Sequence, residues 1–129
     1  MSKRKFDEIE RGVHAGFDYL ILHDGMGHRN GYVRIPEWHP WFGKHYDDID
    51  AEVHGGLTYS AGDSDLRGPG FWIGFDTAHA GDASDPSLGA EYNLPSFGRD
   101  DVIRTTEYVR NECFSLIKQA QEVAIAGKA

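Results

Sequence analysis

Three polar residues spaced three apart, Asp76, His79 and Asp82, follow directly on the short apolar run Phe71-Trp72-Ile73-Gly74-Phe75. Carboxylates and imidazoles are the side chains that exchange protons, ligate divalent metals and orient small ligands by hydrogen bonding. A second such point is His54, which precedes Gly55 and Gly56 and then Thr58 and Tyr59. Two consecutive glycines open backbone angles closed to other residues and let another group approach closely. If the two points meet in space, His54, His79 and Asp76 become the candidates for acid–base catalysis. A zinc-like divalent metal that activates water would draw on His54, Asp76, His79 and Asp82, with His39 as an outlying member. A ligand pocket would draw on His54, Thr58, Tyr59, Asp76 and His79, with Trp38, Trp41 or Trp72 stacking on a ring and Arg67 or Arg104 meeting a phosphate. Asp-x-x-His is a weak metal pattern, and the chain has no His-Glu-x-x-His.

These residues need elements to carry them. Phe71, Ile73 and Phe75 fall on one strand face and Trp72, Gly74 and Asp76 on the other, so a strand over 71–76 anchors a core and presents Asp76 at its rim. Ile49, Ala51 and Val53 alternate with Asp48, Asp50, Glu52 and His54, which predicts a strand over 49–54 with one ionisable face. Side chains at i and i+2 on a strand lie roughly 6–7 Å apart, a line rather than a chelate. Neighbouring placement of the two strands would bring His54, Asp76 and His79 together. Residues 17–22 and 31–35 predict a further antiparallel pair, with the Gly- and Asn-containing stretch 24–31 as its turn. The loop from Pro36 to Gly43 holds two prolines, Pro36 and Pro40, and three large aromatics, Trp38, Trp41 and Phe42, and reads as a lid over the core. Residues 61–70 form a turn-rich connector in which Arg67 is the cation, and 83–99 an ordered loop.

From Asp100 the period changes. Val102, Thr106, Val109, Cys113, Leu116, Ala120 and Val123 make a helical stripe, which predicts one long helix over 100–126 with Asp100 and Asp101 at its start and Gly127 at its end. Cys113 lies within the stripe as a buried thiol, and Arg104 and Tyr108 lie at its edges, within reach of a neighbouring site. Residues 1–12, with alternating charges, read as a frayed tail or a short docking helix. The expected fold is α+β: an antiparallel sheet of four or five strands with the C-terminal helix packed on one face.

The 129 residues, 40% hydrophobic and 12% aromatic, suit a single domain with one core. One cysteine cannot form an internal disulfide, and the apolar run at 17–22 is too short to cross a bilayer, so the expected setting is the cytoplasm, with no membrane partner. A net charge of -8 opposes binding to nucleic-acid backbones, while a few local arginines still allow a small phosphate-bearing ligand. An exposed face of the helix leaves room for a homodimer that completes the pocket.

The segments Asp48-Ile49-Asp50-Ala51-Glu52-Val53-His54-Gly55-Gly56-Leu57-Thr58-Tyr59-Ser60 and Trp72-Ile73-Gly74-Phe75-Asp76-Thr77-Ala78-His79-Ala80-Gly81-Asp82 resemble a family of small bacteriophage and prophage proteins, as do the Trp38–Gly43 loop and the Tyr108-Val109 region. The resemblance spans most of the chain and implies a phage protein acting in the host cytoplasm, without assigning catalytic residues. Within that setting the leading expectation is a nucleotide-like ligand, sequestered as a host-defence signal. The alternative is a metal-dependent, phosphodiesterase-like hydrolase built on the His/Asp cluster. A third reading, suggested by Asp47, Asp48, Asp50, Glu52, Asp63, Asp65, Asp82 and Asp85, is an acidic mimic of nucleic acid.

Overall fold

A computed structural model describes residues 7–62, 67–88 and 101–127. Five strands form an antiparallel sheet in the order β1 (Asp7–His14), β2 (Phe17–His23), β3 (Arg29–Ile35), β5 (Phe71–Phe75) and β4 (Tyr59–Ala61). One helix, α1 (Thr106–Gly127), packs across β3 and β2. The expected α+β arrangement is the one observed.

The sheet is more continuous at its N-terminal side than the charge pattern suggests. Residues 7–14 pair along β2 through a two-residue turn in which Ala15 (φ 52) and Gly16 (φ 85) are both left-handed, the geometry that matches the twist of a hairpin. The expected frayed tail is therefore an edge strand from Asp7 onward, and residues 1–6 lie outside the described ones. The β2–β3 hairpin follows as expected, but with a shorter turn. Asp24 Oδ1 accepts from the backbone N–H groups of Met26 and His28, and Arg29 to Gly31 already belong to β3.

Both sheet faces are covered. On the helix side Tyr19, Ile21, Val33, Ile35, Ile73 and Phe75 meet Val109, Cys113, Leu116, Ile117 and Ala120. Gly31 makes this contact close, because a Cβ there would lie 2.8 Å from the Cys113 sulfur. The Pro36–Gly43 loop adds Trp41 to this core and anchors to α1 through His39 Nε2 and the Ala120 carbonyl, 2.7 Å apart. On the other side Leu20, Leu22, Tyr32 and Trp72 form a second cluster with Tyr59 against it. Burying both faces explains the nearly unbroken apolar run in β2.

The strand expected over 49–54 does not form. A 3-10 turn at Tyr46–Asp48 redirects the chain, and the backbone that follows is satisfied by helix side chains. Gln119 accepts from Glu52 N–H at 2.8 Å and donates to its carbonyl at 2.7 Å, and Glu112 accepts from His54 N–H at 2.8 Å. Backbone groups that pair with no strand still take partners, and here α1 side chains supply them. Ile49, Ala51 and Val53 still face the core, so the alternation was meaningful while the strand was not. Asp48, Asp50 and Glu52 consequently form no line along a sheet.

Helix α1 starts later than residue 100. Thr105 caps it, its hydroxyl accepting from Tyr108 N–H and its carbonyl from Val109 N–H. Val102 and Ile103 instead form β7, a two-residue strand parallel to β6 (Asp82–Ala83). Asp100 lies outside the described residues, as do 89–99, where most of the expected loop falls. Asp101 precedes the cap and does not make it. No helix among the described residues is long and apolar enough to cross a membrane.

Candidate functional site

The strand end, the turn after it and the start of α1 converge where the sequence placed its candidate residues. Asp76 leaves the end of β5; its Oδ2 accepts from the Thr58 hydroxyl at 3.2 Å and its Oδ1 from Ala78 N–H at 3.0 Å. His79 Nε2 lies 3.0 Å from the same Oδ1, at ion-pair distance but out of line for a hydrogen bond, so this buried nitrogen has no hydrogen-bond partner. The His79 ring rests on Gly55. With φ at +69, and with a Cβ at this position overlapping the imidazole at Cδ2 and Nε2, Gly55 is required twice over.

Asp82 is the buried centre, its side chain 1% exposed. It accepts from Arg104 Nε at 2.8 Å and from His79 N–H at 3.1 Å, and His54 Nε2 lies 2.8 and 3.0 Å from its two oxygens. Burial alone would raise its carboxyl pKa, but the bonds from Arg104, His54 and the His79 backbone outweigh burial and hold it below the ordinary value. The ionised carboxylate fixes the His54 tautomer: Nε2 carries the proton toward Asp82, which leaves Nδ1 to accept from the Tyr108 hydroxyl, 2.7 Å away. Burial and the charge of Glu112 raise the Tyr108 pKa, with Arg104 opposing, so the phenol keeps its proton and donates it. A third imidazole stands nearby. His28 is raised by the Asp24 carboxylate, 3.6 Å from its Nδ1, against burial and with help from the charges of Asp82 and Asp76.

On the other side of Asp76 lies a cavity of about 280 Å³ walled by Asn30, Tyr32, Thr58, Tyr59, Arg67 and Asp76, with Phe75 also lining it. The Arg67 guanidinium stacks on Tyr59 (4.0 Å to the ring centroid) and reaches over Tyr32 (4.9 Å), and its Nε donates to the Tyr59 hydroxyl at 2.8 Å. Asn30 donates through Nδ2 to the Tyr32 hydroxyl at 3.2 Å, while its buried Oδ1 has no partner. Buried polar atoms left unpaired are uncommon and mark places where a ligand can bind.

Of the residues singled out from sequence, Thr58, Tyr59, Arg67 and Asp76 line this cavity; His79 stands beside Asp76, and His54 and Asp82 meet His79 rather than the cavity wall. The His54 and His79 ring centroids are 6.1 Å apart, although 49–54 reaches this point as an irregular segment rather than a neighbouring strand. Trp38 does not join them; it is 63% exposed on the proline loop, beside His39. Trp72 is buried beneath Tyr59 with its indole N–H near the Gly68 and Pro69 carbonyls, which leaves no open ring face for a ligand. His39 and Trp41 belong to the core. Among the described residues no three of His, Cys, Asp and Glu converge as a metal ligand set, and both ring nitrogens of His54 are already engaged by protein groups.

Asn30, Tyr32 and Glu112 were not singled out from sequence. Asn30 and Tyr32 share a face of β3 at period two, and Glu112 follows Tyr108 by one helical turn. Both spacings were legible once the elements were known. Comparison with family models, curated proteins and solved structures finds no match to this chain.

Proposed function

We propose that the protein binds a small nucleotide-like ligand in the cavity beside Asp76. The observation that carries this reading is the Asn30 amide oxygen, buried and unpaired in the wall of a 280 Å³ cavity on which Asp76, Thr58, Tyr59 and Arg67 converge. The polar pattern is directional. Asn30 Oδ1 and the Asp76 carboxylate are acceptors, so the matching edge of a ligand carries N–H donors, as the amino edge of a nucleobase does. Tyr59 and Tyr32 offer aromatic surface, and Arg67 adds positive potential in an otherwise acidic chain, where it favours an anionic group such as a phosphate. In the phage setting implied by the sequence resemblance, such binding would sequester a nucleotide signal in the host cytoplasm.

A native mass spectrum of the whole chain with a mixed panel of linear and cyclic nucleotides tests this. The expected result is a protein mass raised by one nucleotide, and loss of that adduct in Asn30→Leu and Asp76→Ala variants that still melt cooperatively. No adduct at millimolar nucleotide, or an adduct unaffected by both substitutions, would overturn the reading.

A further inference from the structure

Asn30 and Asp76 stand side by side in the cavity wall. In the ladder of β3 and β5, Gly31 lies opposite Phe75, and two steps on Arg29 and Thr77 bond each other: Arg29 N–H donates to Thr77 Oγ1 at 3.3 Å, and the Thr77 hydroxyl to the Arg29 carbonyl at 2.9 Å. The pair between them, Asn30 and Asp76, is thereby held directly across the strands, where side chains share a face with Cβ atoms about 4.5–5.5 Å apart. Both line the cavity, and what each still offers there is an acceptor. The Asn30 amide turns Nδ2 to the Tyr32 hydroxyl and keeps Oδ1 unpaired. Asp76 Oδ2 accepts from the Thr58 hydroxyl and Oδ1 from Ala78 N–H, with His79 Nε2 beside Oδ1 but out of line, so a lone pair remains on each oxygen. In the next row Tyr32 and Tyr59 flank Gly74, where a Cβ would overlap the Tyr32 ring. Their oxygens already accept, from Asn30 Nδ2 and Arg67 Nε, so the proton each phenol keeps is a donor. The wall therefore presents three acceptor oxygens in one row and hydroxyl donors in the next.

We infer that the ligand is a guanine nucleotide whose base is read by Asp76 and Asn30. The inference rests on the binding reading above and names the base. Guanine carries three N–H donors along one edge, N1–H and the two of its N2 amino group, followed by the O6 carbonyl. N1–H and the nearer N2–H meet the two oxygens of Asp76 as a charge-assisted fork. The outer N2–H meets Asn30 Oδ1, and O6 takes a phenol proton. The other bases fail at a definite atom. Adenine turns N1, an acceptor, toward the carboxylate; cytosine does the same with N3; uracil offers one N–H between two carbonyls. Each sets lone pair against lone pair and leaves an acceptor of the wall unpaired, which discriminates more strongly than the loss of one contact. Asp76 and Asn30 are thus the specificity-determining residues of the cavity.

The test titrates the full chain by calorimetry with the 5′-monophosphates of guanosine, inosine, adenosine and xanthosine. Guanosine should bind tightest. Inosine, which lacks only the N2 amino group, should bind about tenfold weaker, and adenosine at least about 100-fold weaker. Asp76→Asn exchanges one acceptor for a donor and should move the preference from guanosine to xanthosine, in which a C2 carbonyl replaces the amino group. A weakened fold would lose binding but could not gain a new base. The guanosine-to-inosine ratio is read on the unaltered chain and needs no variant. Equal affinities, or a tighter adenosine, would overturn the guanine reading and leave nucleotide binding standing; no binding here or across the wider nucleotide panel would remove both. A guanosine preference that survives Asp76→Asn would overturn the role of Asp76.

Discussion

Gly55→Ala probes the site at the point where backbone and side chain constrain each other, and Gly56→Ala is its internal control. Both glycines are left-handed, at φ +69 and +84. An alanine in that region costs about 1–2 kcal/mol, which lowers the melting temperature by about 4–7 °C in a domain of this size. The two positions differ in what the new methyl meets. At Gly56 it meets nothing within 4 Å; at Gly55 it overlaps the His79 ring. His79 is a partly exposed side chain and can swing outward, so the overlap should add little to the stability loss while taking the imidazole away from Asp76. The two variants should therefore melt within about 1 kcal/mol of each other, yet only Gly55→Ala should weaken nucleotide binding. Thermal melts, nucleotide titration and the His79 ring resonances in a proton–nitrogen spectrum read the three quantities separately. Equal loss of binding in both variants, or an undisturbed His79 ring in Gly55→Ala, would refute the placement of His79 on Gly55.

Asp82→Asn should lose about 3 kcal/mol, because the Arg104 guanidinium and the His54 Nε2–H lose a carboxylate that is 1% exposed; urea denaturation reads this. The Asp82 pKa is lowered on folding, so its contribution is fully present above the ordinary carboxyl value of 3.8 and lost as pH falls below it. The same sign holds for Glu10, which its hydrogen bond from Arg110 holds at about 2 against an ordinary 4.5. Glu10→Gln should thus flatten the stability profile between pH 4.5 and about 2, as followed by circular dichroism. Burial pushes the Cys113 thiol up to about 12, so a thiol reagent at pH 8 should label it only as fast as the domain opens, with labelling accelerated by denaturant. Leu116→Ala, at a fully buried position in the core under α1, should lose about 2–5 kcal/mol in the same denaturation assay.

How much of this was legible in the sequence depended on whether a pattern has one physical cause or two. The 71–75 run has one: period-two alternation on a strand, with Phe71, Ile73 and Phe75 on the helix side, Trp72 buried on the other, and Asp76 at its end. The stripe from Val109 to Ala120 likewise admits only a helix. His54-Gly55-Gly56 marks a place of unusual backbone and close approach, and the structure has both. Alternation over 49–54 has two causes, because an extended segment bonded by Gln119 and Glu112 buries the same residues as a paired strand. β1 was hidden for the opposite reason: an edge strand covered on one side can be almost wholly polar, and Asp7 to His14 is. The N-terminal boundary of α1 moved because Thr105 caps it and Val102-Ile103 pairs with Asp82-Ala83, a long-range choice that local pattern does not encode. Asn30 looked like a turn residue beside Gly31, and only the register of β3 turns its amide toward the cavity.

The central claim is that a nucleotide enters the cavity between Asn30 and Asp76, and chemical-shift mapping of the isotope-labelled chain tests it most directly. Titration with the tightest-binding nucleotide should move the Asn30 side-chain amide, the backbone of Thr58, Tyr59 and residues 76–79, and the His79 ring, while the exposed Trp38 indole on the proline loop stays still. Shifts centred on Trp38 and Phe42, with Asn30 and Asp76 unmoved, would contradict the account.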